Sequence, residues 1–285
     1  MKQKDLPIGF IDSGFGGLTV LKQSLKQLPN ESVIYLGDNA RCPYGPRPAE
    51  EVKAYIWQLT QFLLKKGIKM LVIACNTGTA AALEEIREKL TIPVVGVIHP
   101  GSRAAIKRTQ NNRIGIIGTQ GTINSRLYER VMQDKNAQLA VFSVACPEFV
   151  SLVEQQQLNT PETWRLVRER LSQFDQQNID TLILGCTHYP LLSPIIQAVI
   201  GNEVRLVDSG VETINEVSTL LDYFGISRTA EEAKVDLPTQ RFYTTGDLAG
   251  FTTFVHHWIG ETYQDIHACQ IKGDEIDEIS DCDTK

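Results

Sequence analysis

The chain has 285 residues, of which 42% are apolar and 22% charged, with a formal net charge of −6. That is enough apolar material for two cores of ordinary size, and too much for a disordered or fibrous chain. The acidic balance and the lack of any long basic stretch exclude a nucleic-acid backbone as partner, which needs clustered Lys and Arg.

The first apolar run, Ile8 to Ile11, ends at Asp12 and is too brief for a signal-peptide core. The densest later run, Met70 to Cys75, falls far short of a bilayer span, so the expectation is a cytoplasmic protein with no membrane partner. Six cysteines without a C-x-x-C pair suggest free thiols, not a disulfide scaffold or a zinc site. Apolar runs near 7–12, 32–37, 70–75, 93–97, 113–118, 139–144, 181–185, 204–207 and 241–244 predict strands. Between them lie amphipathic stretches such as 50–66, where Val52, Ile56, Leu59 and Leu63 recur on one helical face. Continuous apolar strands joined by helices predict an α/β protein with mostly parallel sheets covered on both sides. Residues 273–285 are acidic and poor in apolar side chains, and are expected to be a disordered tail.

An internal repeat organises the chain. The stretch Ile68 to Thr77, through Ala74-Cys75-Asn76, resembles Ile179 to His188, through Gly185-Cys186-Thr187. A second pair, Ile8-Gly-Phe-Ile-Asp12-Ser13-Gly14 and Ile114-Gly-Ile-Ile-Gly118-Thr119, recurs in the same order at a similar offset. Two matched offsets predict two related α/β domains with a pseudo-two-fold relation and an active site in the cleft between them. The expected division is 1–97 with 208–265 for the first domain and 98–207 for the second.

Both repeated cysteines fall at the carboxyl end of a predicted strand, the edge where open α/β sheets bind ligands. Each is followed by polar residues, Asn76 and Thr77 in one case and Thr187 and His188 in the other. A single cysteine there reads first as core packing. Two at equivalent places point instead to a pair of thiols facing a shared cleft. A carbon between them can lose a proton to one side and regain one from the other, inverting a stereocentre without a cofactor. His188 on the second side and Asp12 on the first are the candidate acid–base groups that would hold the two thiols in opposite protonation states.

The chain resembles the glutamate racemase family, within the aspartate/glutamate racemase superfamily. The resemblance spans about 7–260 and rests on Gly9 to Gly14 with Gly16-Gly17, on Gly37-Asp38-Asn39-Ala40-Arg41-Cys42-Pro43-Tyr44-Gly45, on Ala74 to Thr77, on Leu152-Val153-Glu154 and on Gly185 to Pro190. It implies interconversion of L- and D-glutamate, supplying D-glutamate for bacterial peptidoglycan, with no cofactor and no metal. Cys75 and Cys186 match the two catalytic thiols. Asp12 matches the assistant of the first, and Glu154 and His188 those of the second. Asp12, Ser13, Pro43, Tyr44, Gly45, Asn76, Thr77, Thr187 and His188 fall in segments that bind or orient substrate, and Thr119 borders the site as the second-half counterpart of the Asp12-Ser13 loop. The resemblance also implies a homodimer. Two positions depart from the family pattern: Asn39, where Thr is expected, and Gly78, where Ala is.

Other motifs carry less. Gly14-Phe15-Gly16-Gly17 suggests a dinucleotide loop, but the third glycine of G-x-G-x-x-G falls on Thr19. His256, His257 and His267 lack a metal-site spacing, and Cys42, Cys146, Cys269 and Cys282 lack the repeated polar context and read as structural or merely exposed. Arg41 fits a substrate carboxylate or an internal ion pair, and Asp208-Ser209-Gly210 reads as a helix N-cap. Competing functions are a racemase of aspartate or another α-substituted acid, and a non-catalytic binding or regulatory protein on the same scaffold. A thiol hydrolase would leave the second cysteine without a role.

Overall fold

The computed structural model describes residues 2–279. Each expected apolar run forms a strand: β1 (Ile8–Asp12), β2 (Val33–Gly37), β3 (Met70–Ile73), β4 (Val94–Gly96), β5 (Arg113–Gly118), β6 (Ala140–Ala145), β7 (Thr181–Gly185), β8 (Arg205–Asp208) and β9 (Gln240–Thr244). The helices are α1 (Leu18–Gln27), α2 (Ala49–Lys66), α3 (Asn76–Lys89), α4 (Ile98–Arg108), α5 (Gln120–Ser125), α6 (Leu127–Lys135), α7 (Glu148–Glu154), α8 (Pro161–Leu171), α9 (Ser193–Ile200), α10 (Ser209–Tyr223), α11 (Ala230–Val235) and α12 (Leu248–Trp258). Two further strands, β10 (Ile266–Lys272) and β11 (Glu275–Glu278), were not among the expected ones.

The strands form two sheets, one of seven in the order β11-β10-β9-β2-β1-β3-β4 and one of four in the order β6-β5-β7-β8. Every pairing is parallel except the β10–β11 hairpin. Strands β1, β2, β3 and β7 are buried at every residue, as strands covered on both faces must be. The order β2-β1-β3-β4 recurs as β6-β5-β7-β8, with β1 matching β5 and β3 matching β7. These are the strands that carry the two sequence repeats. In each sheet the chain leaves the first strand in one direction and later returns to its other side. That makes the gap between the carboxyl ends of β1 and β3, and of β5 and β7, the topological switch point. Helix α10 packs on both α1 and α4 and so ties the two groups of elements together. Among the described residues no helix is long and apolar enough to cross a membrane.

The expected disordered tail needs correcting. Residues Glu275–Glu278 pair antiparallel with β10 around a turn at Gly273, whose φ of 59° suits glycine. Ile276 is buried beside Cys269, so this edge hairpin hides an apolar face that its charged residues disguise. The seven-stranded sheet therefore continues past the expected limit at 265. Residues 280–285, with Cys282, lie outside the described residues.

At the amino-terminal edge of the larger sheet, away from the switch point, Lys69 is fully buried. Its Nζ donates to the carbonyls of Lys4 at 2.7 Å and Ile226 at 2.8 Å, and pairs with buried Glu31. Glu31 also accepts the Arg228 backbone N–H at 2.8 Å, fastening the segment between α10 and α11 to the sheet.

Candidate active site

The residues after the carboxyl ends of β1, β2 and β3, and of β5, β6 and β7, converge on one small cavity of about 20 Å3. Cys75 and Cys186 both line it. So do Ser13, Pro43, Tyr44, Gly45, Asn76, Thr77, Thr119, Thr187 and His188. Asp12 and Glu154 stand behind this lining, each within interaction reach of a lining residue.

On the first side, Cys75 follows β3 and caps α3, its Sγ accepting the Gly78 N–H at 3.3 Å. Burial, reinforced by the neighbouring Asp12 charge, pushes the Cys75 thiol up to about 12, against the Gly78 and Ser13 hydrogen bonds. Asp12 ends β1 with no exposed surface. Its Oδ2 accepts the N–H groups of Gly14 at 3.1 Å and Gly17 at 3.0 Å, whereas Oδ1 has no partner among the described residues. Burial raises the Asp12 carboxyl, opposed by His188 and by those amides. A buried acceptor without a donor is costly in a core and useful in a site that receives an ammonium or a thiol proton.

On the second side the local structure differs. Cys186 follows β7, but the next residues form a 3₁₀ turn, Tyr189–Leu192, and α9 begins only at Ser193. The helix N-terminus that serves Cys75 is thus missing here, and His188 takes its place. Its Nδ1 lies 3.7 Å from Cys186 Sγ and its Nε2 3.2 Å from Glu154 Oε1. Burial opposes a charge on His188, but Cys186 and Glu154 outweigh it and push the imidazole up to about 10. Glu154, also desolvated, is nonetheless held below the ordinary carboxylate range, chiefly by its bond to His188.

Polar side chains complete the walls. Thr77 Oγ1 of α3 and Thr119 Oγ1, which caps α5, lie 2.8 Å apart, joining the two sheets' carboxyl edges. Asn76 Oδ1 accepts the Tyr128 hydroxyl at 2.7 Å, while the buried Asn76 Nδ2 has no partner among the described residues. Tyr44 donates to Asp38, which also accepts Arg41 Nε at 2.7 Å and Thr245 Oγ1 at 2.7 Å. Arg41 therefore takes the ion-pair role, with its guanidinium 3.9 Å from the Tyr55 ring centre. Glycine is required at Gly16, where a Cβ would strike Thr187 Oγ1 and the His188 ring. At Gly78 a Cβ would lie 2.6 Å from Ile56 Cδ1, so an alanine there would require the Ile56 side chain to shift. Asp208 caps α10 through the Gly210 N–H at 2.8 Å, as its sequence context suggests.

Cys42 and Val150 line the cavity without having been expected there. Cys42 lies in the loop after β2 and its Sγ donates to Glu154 Oε1 at 3.4 Å. Cys146 and Cys269 are buried as structural cysteines.

A family model described as Asp/Glu/hydantoin racemase matches residues 8–217. The chain belongs to this racemase family. The racemase is 56% identical over 272 residues to a glutamate racemase of Enterococcus faecalis, covering 95% of this chain and 98% of that one. A glutamate racemase isoform from Bacillus anthracis superposes with a TM-score of 0.89 at 43% identity, covering 95% of the racemase and 99% of that chain. A glutamate racemase from Francisella tularensis, solved in complex with D-glutamate, gives 0.85 at 33% identity, covering 94% and 98%.

Proposed function

We propose that the protein is a cytoplasmic glutamate racemase that interconverts L- and D-glutamate by a two-thiol exchange and supplies D-glutamate for peptidoglycan. The observation that carries the reading is that Cys75 and Cys186 line one cavity, each backed by its own acid–base group. The cavity walls suit an amino acid with two carboxylates. Asn76 Nδ2 is a buried donor with no partner among the described residues, Thr77, Thr119 and Ser13 offer hydroxyls, and Asp12 Oδ1 is an open acceptor for an ammonium.

In each turnover the deprotonated sulfur on one face takes the α-proton, and the protonated sulfur on the other face gives one up. The S–H bond made on the first side balances the one broken on the second, and before the next turnover in the same direction the starting protonation states return by proton exchange through Asp12, the His188–Glu154 pair and solvent. Asp12 serves Cys75 as proton acceptor and donor, and the His188–Glu154 pair serves Cys186. Burial is the main reason the Cys75 thiol is held up, and a substrate ammonium bound beside Asp12 would offset the negative charge that adds to it. We read 2–97 with 208–279 as one domain and 98–207 as the other, and the homodimer implied by the resemblance as a state that sedimentation would reveal.

The test is to incubate the purified protein, without added cofactor, with single enantiomers of glutamate and of aspartate in deuterated water. Glutamate should racemise with deuterium entering at Cα, and neither Cys75→Ala nor Cys186→Ala should turn over. Preference for aspartate, or full turnover by either variant, would overturn the assignment.

A further inference from the structure

We propose that Cys42 is a positioning residue for proton transfer at Cys186, acting through the Glu154 carboxylate. This inference rests on the two-thiol reading. Cys42 Sγ and His188 Nε2 meet the same oxygen, Glu154 Oε1, at 3.4 Å and 3.2 Å. His188 in turn reaches Cys186, so a chain of three contacts runs from Cys42 to the second catalytic sulfur.

The placement follows from the topology. Cys42 lies beyond the carboxyl end of β2, and Glu154 ends α7 beyond the carboxyl end of β6, which occupies the matching position in the other sheet. Their contact therefore spans the cleft and forms only when the two edges are together. Gly14 packs against the Cys42 sulfur so closely that a Cβ there would lie 3.0 Å away, which limits the thiol's freedom to turn from Glu154.

A thiol facing a carboxylate can only donate. The charged and titratable groups around Cys42 are Glu154, Asp12 and Cys75, and together with burial they hold its proton far more tightly than an ordinary cysteine does. Cys42 is thus unsuited to be a third base. It remains a fixed S–H donor on a carboxylate whose orientation sets that of His188.

The test compares Cys42→Ser, which keeps a donor, with Cys42→Ala and Cys42→Val, which do not. The serine variant should stay within about twofold of the parent kcat, and the other two should lose about tenfold, the scale of one hydrogen bond to a charged group. Because enantiomers are isoenergetic, kcat/KM must remain equal in the two directions. The asymmetry will show in the α-deuterium isotope effect, which should rise for the enantiomer deprotonated by Cys186 and fall for the other. Thermal midpoints identify any variant that misfolds, and the two donor-free variants check each other. Parent-like kcat with equal isotope effects in Cys42→Ala or Cys42→Val would overturn the inference, as would a serine variant as impaired as they are. Full turnover by Cys186→Ala would instead sink the two-thiol reading itself.

Discussion

His188 Nε2 lies 3.2 Å from Glu154 Oε1, and this contact across the second half of the cleft keeps a buried imidazole charged near neutrality. A histidine raised from 6.5 to about 10 adds stability that is fully present below 6.5 and lost as pH rises through 10. The difference in unfolding free energy between the parent and His188→Gln, measured by denaturant titration, should accordingly be largest below pH 6.5 and shrink toward pH 10, with an upper limit on the order of a few kcal/mol. Glu154→Gln should lower the imidazole titration, followed by NMR, and reduce kcat by about 10- to 100-fold. An imidazole still titrating near 10 in that variant would remove Glu154 from the pair.

Tyr128 orients the Asn76 amide by donating to its Oδ1 at 2.7 Å, which leaves Nδ2 as the donor facing the cavity. Tyr128→Phe keeps the packing and frees the amide to turn. KM for glutamate should rise about fivefold, the worth of roughly one hydrogen bond, with kcat little changed. An unchanged KM would show that Asn76 does not need this hydroxyl.

Gly16 lets the loop after β1 lie directly on Thr187 and His188. Gly16→Ala should preserve the fold, because its obstacles are side chains, yet push His188 away from Cys186. We expect a fall in kcat of at least about 100-fold, since small misplacements of catalytic groups have effects of this size, with a far-ultraviolet circular dichroism spectrum like the parent's. Retained turnover would mean that this close approach is dispensable.

Lys69 makes the opposite prediction, for stability without chemistry. Lys69→Ala leaves Glu31 buried and unpaired and should cost about 3–5 kcal/mol in denaturant unfolding. Lys69→Met, paired with Glu31→Gln, should recover much of that loss. KM and the isotope effects should not move in the folded fraction, because the cluster sits at the sheet edge away from the cavity.

The parallel strands were legible in the sequence because burial on both faces demands unbroken apolar runs. The repeat of Cys75 and Cys186 was legible because β3 and β7 occupy the same place in equal strand orders. The hairpin of β10 and β11 was not: after Gly273, Ile276 stands among Asp274, Glu275, Asp277 and Glu278, and that stretch reads as an acidic tail. Cys42 was passed over because its partner Glu154 is distant along the chain, and only the adjoining Pro43-Tyr44-Gly45 segment hinted at the site. The Lys69–Glu31–Arg228 cluster left no local signal at all, since each member looks like a surface charge until the fold encloses it.

A crystal structure with D-glutamate bound addresses the two-thiol exchange most directly. The α-carbon should lie between the sulfurs of Cys75 and Cys186, on a line joining its opposite faces and within about 3.5 Å of each. An α-carbon in contact with one sulfur only, its other face shielded by a different side chain, would contradict proton exchange between the pair.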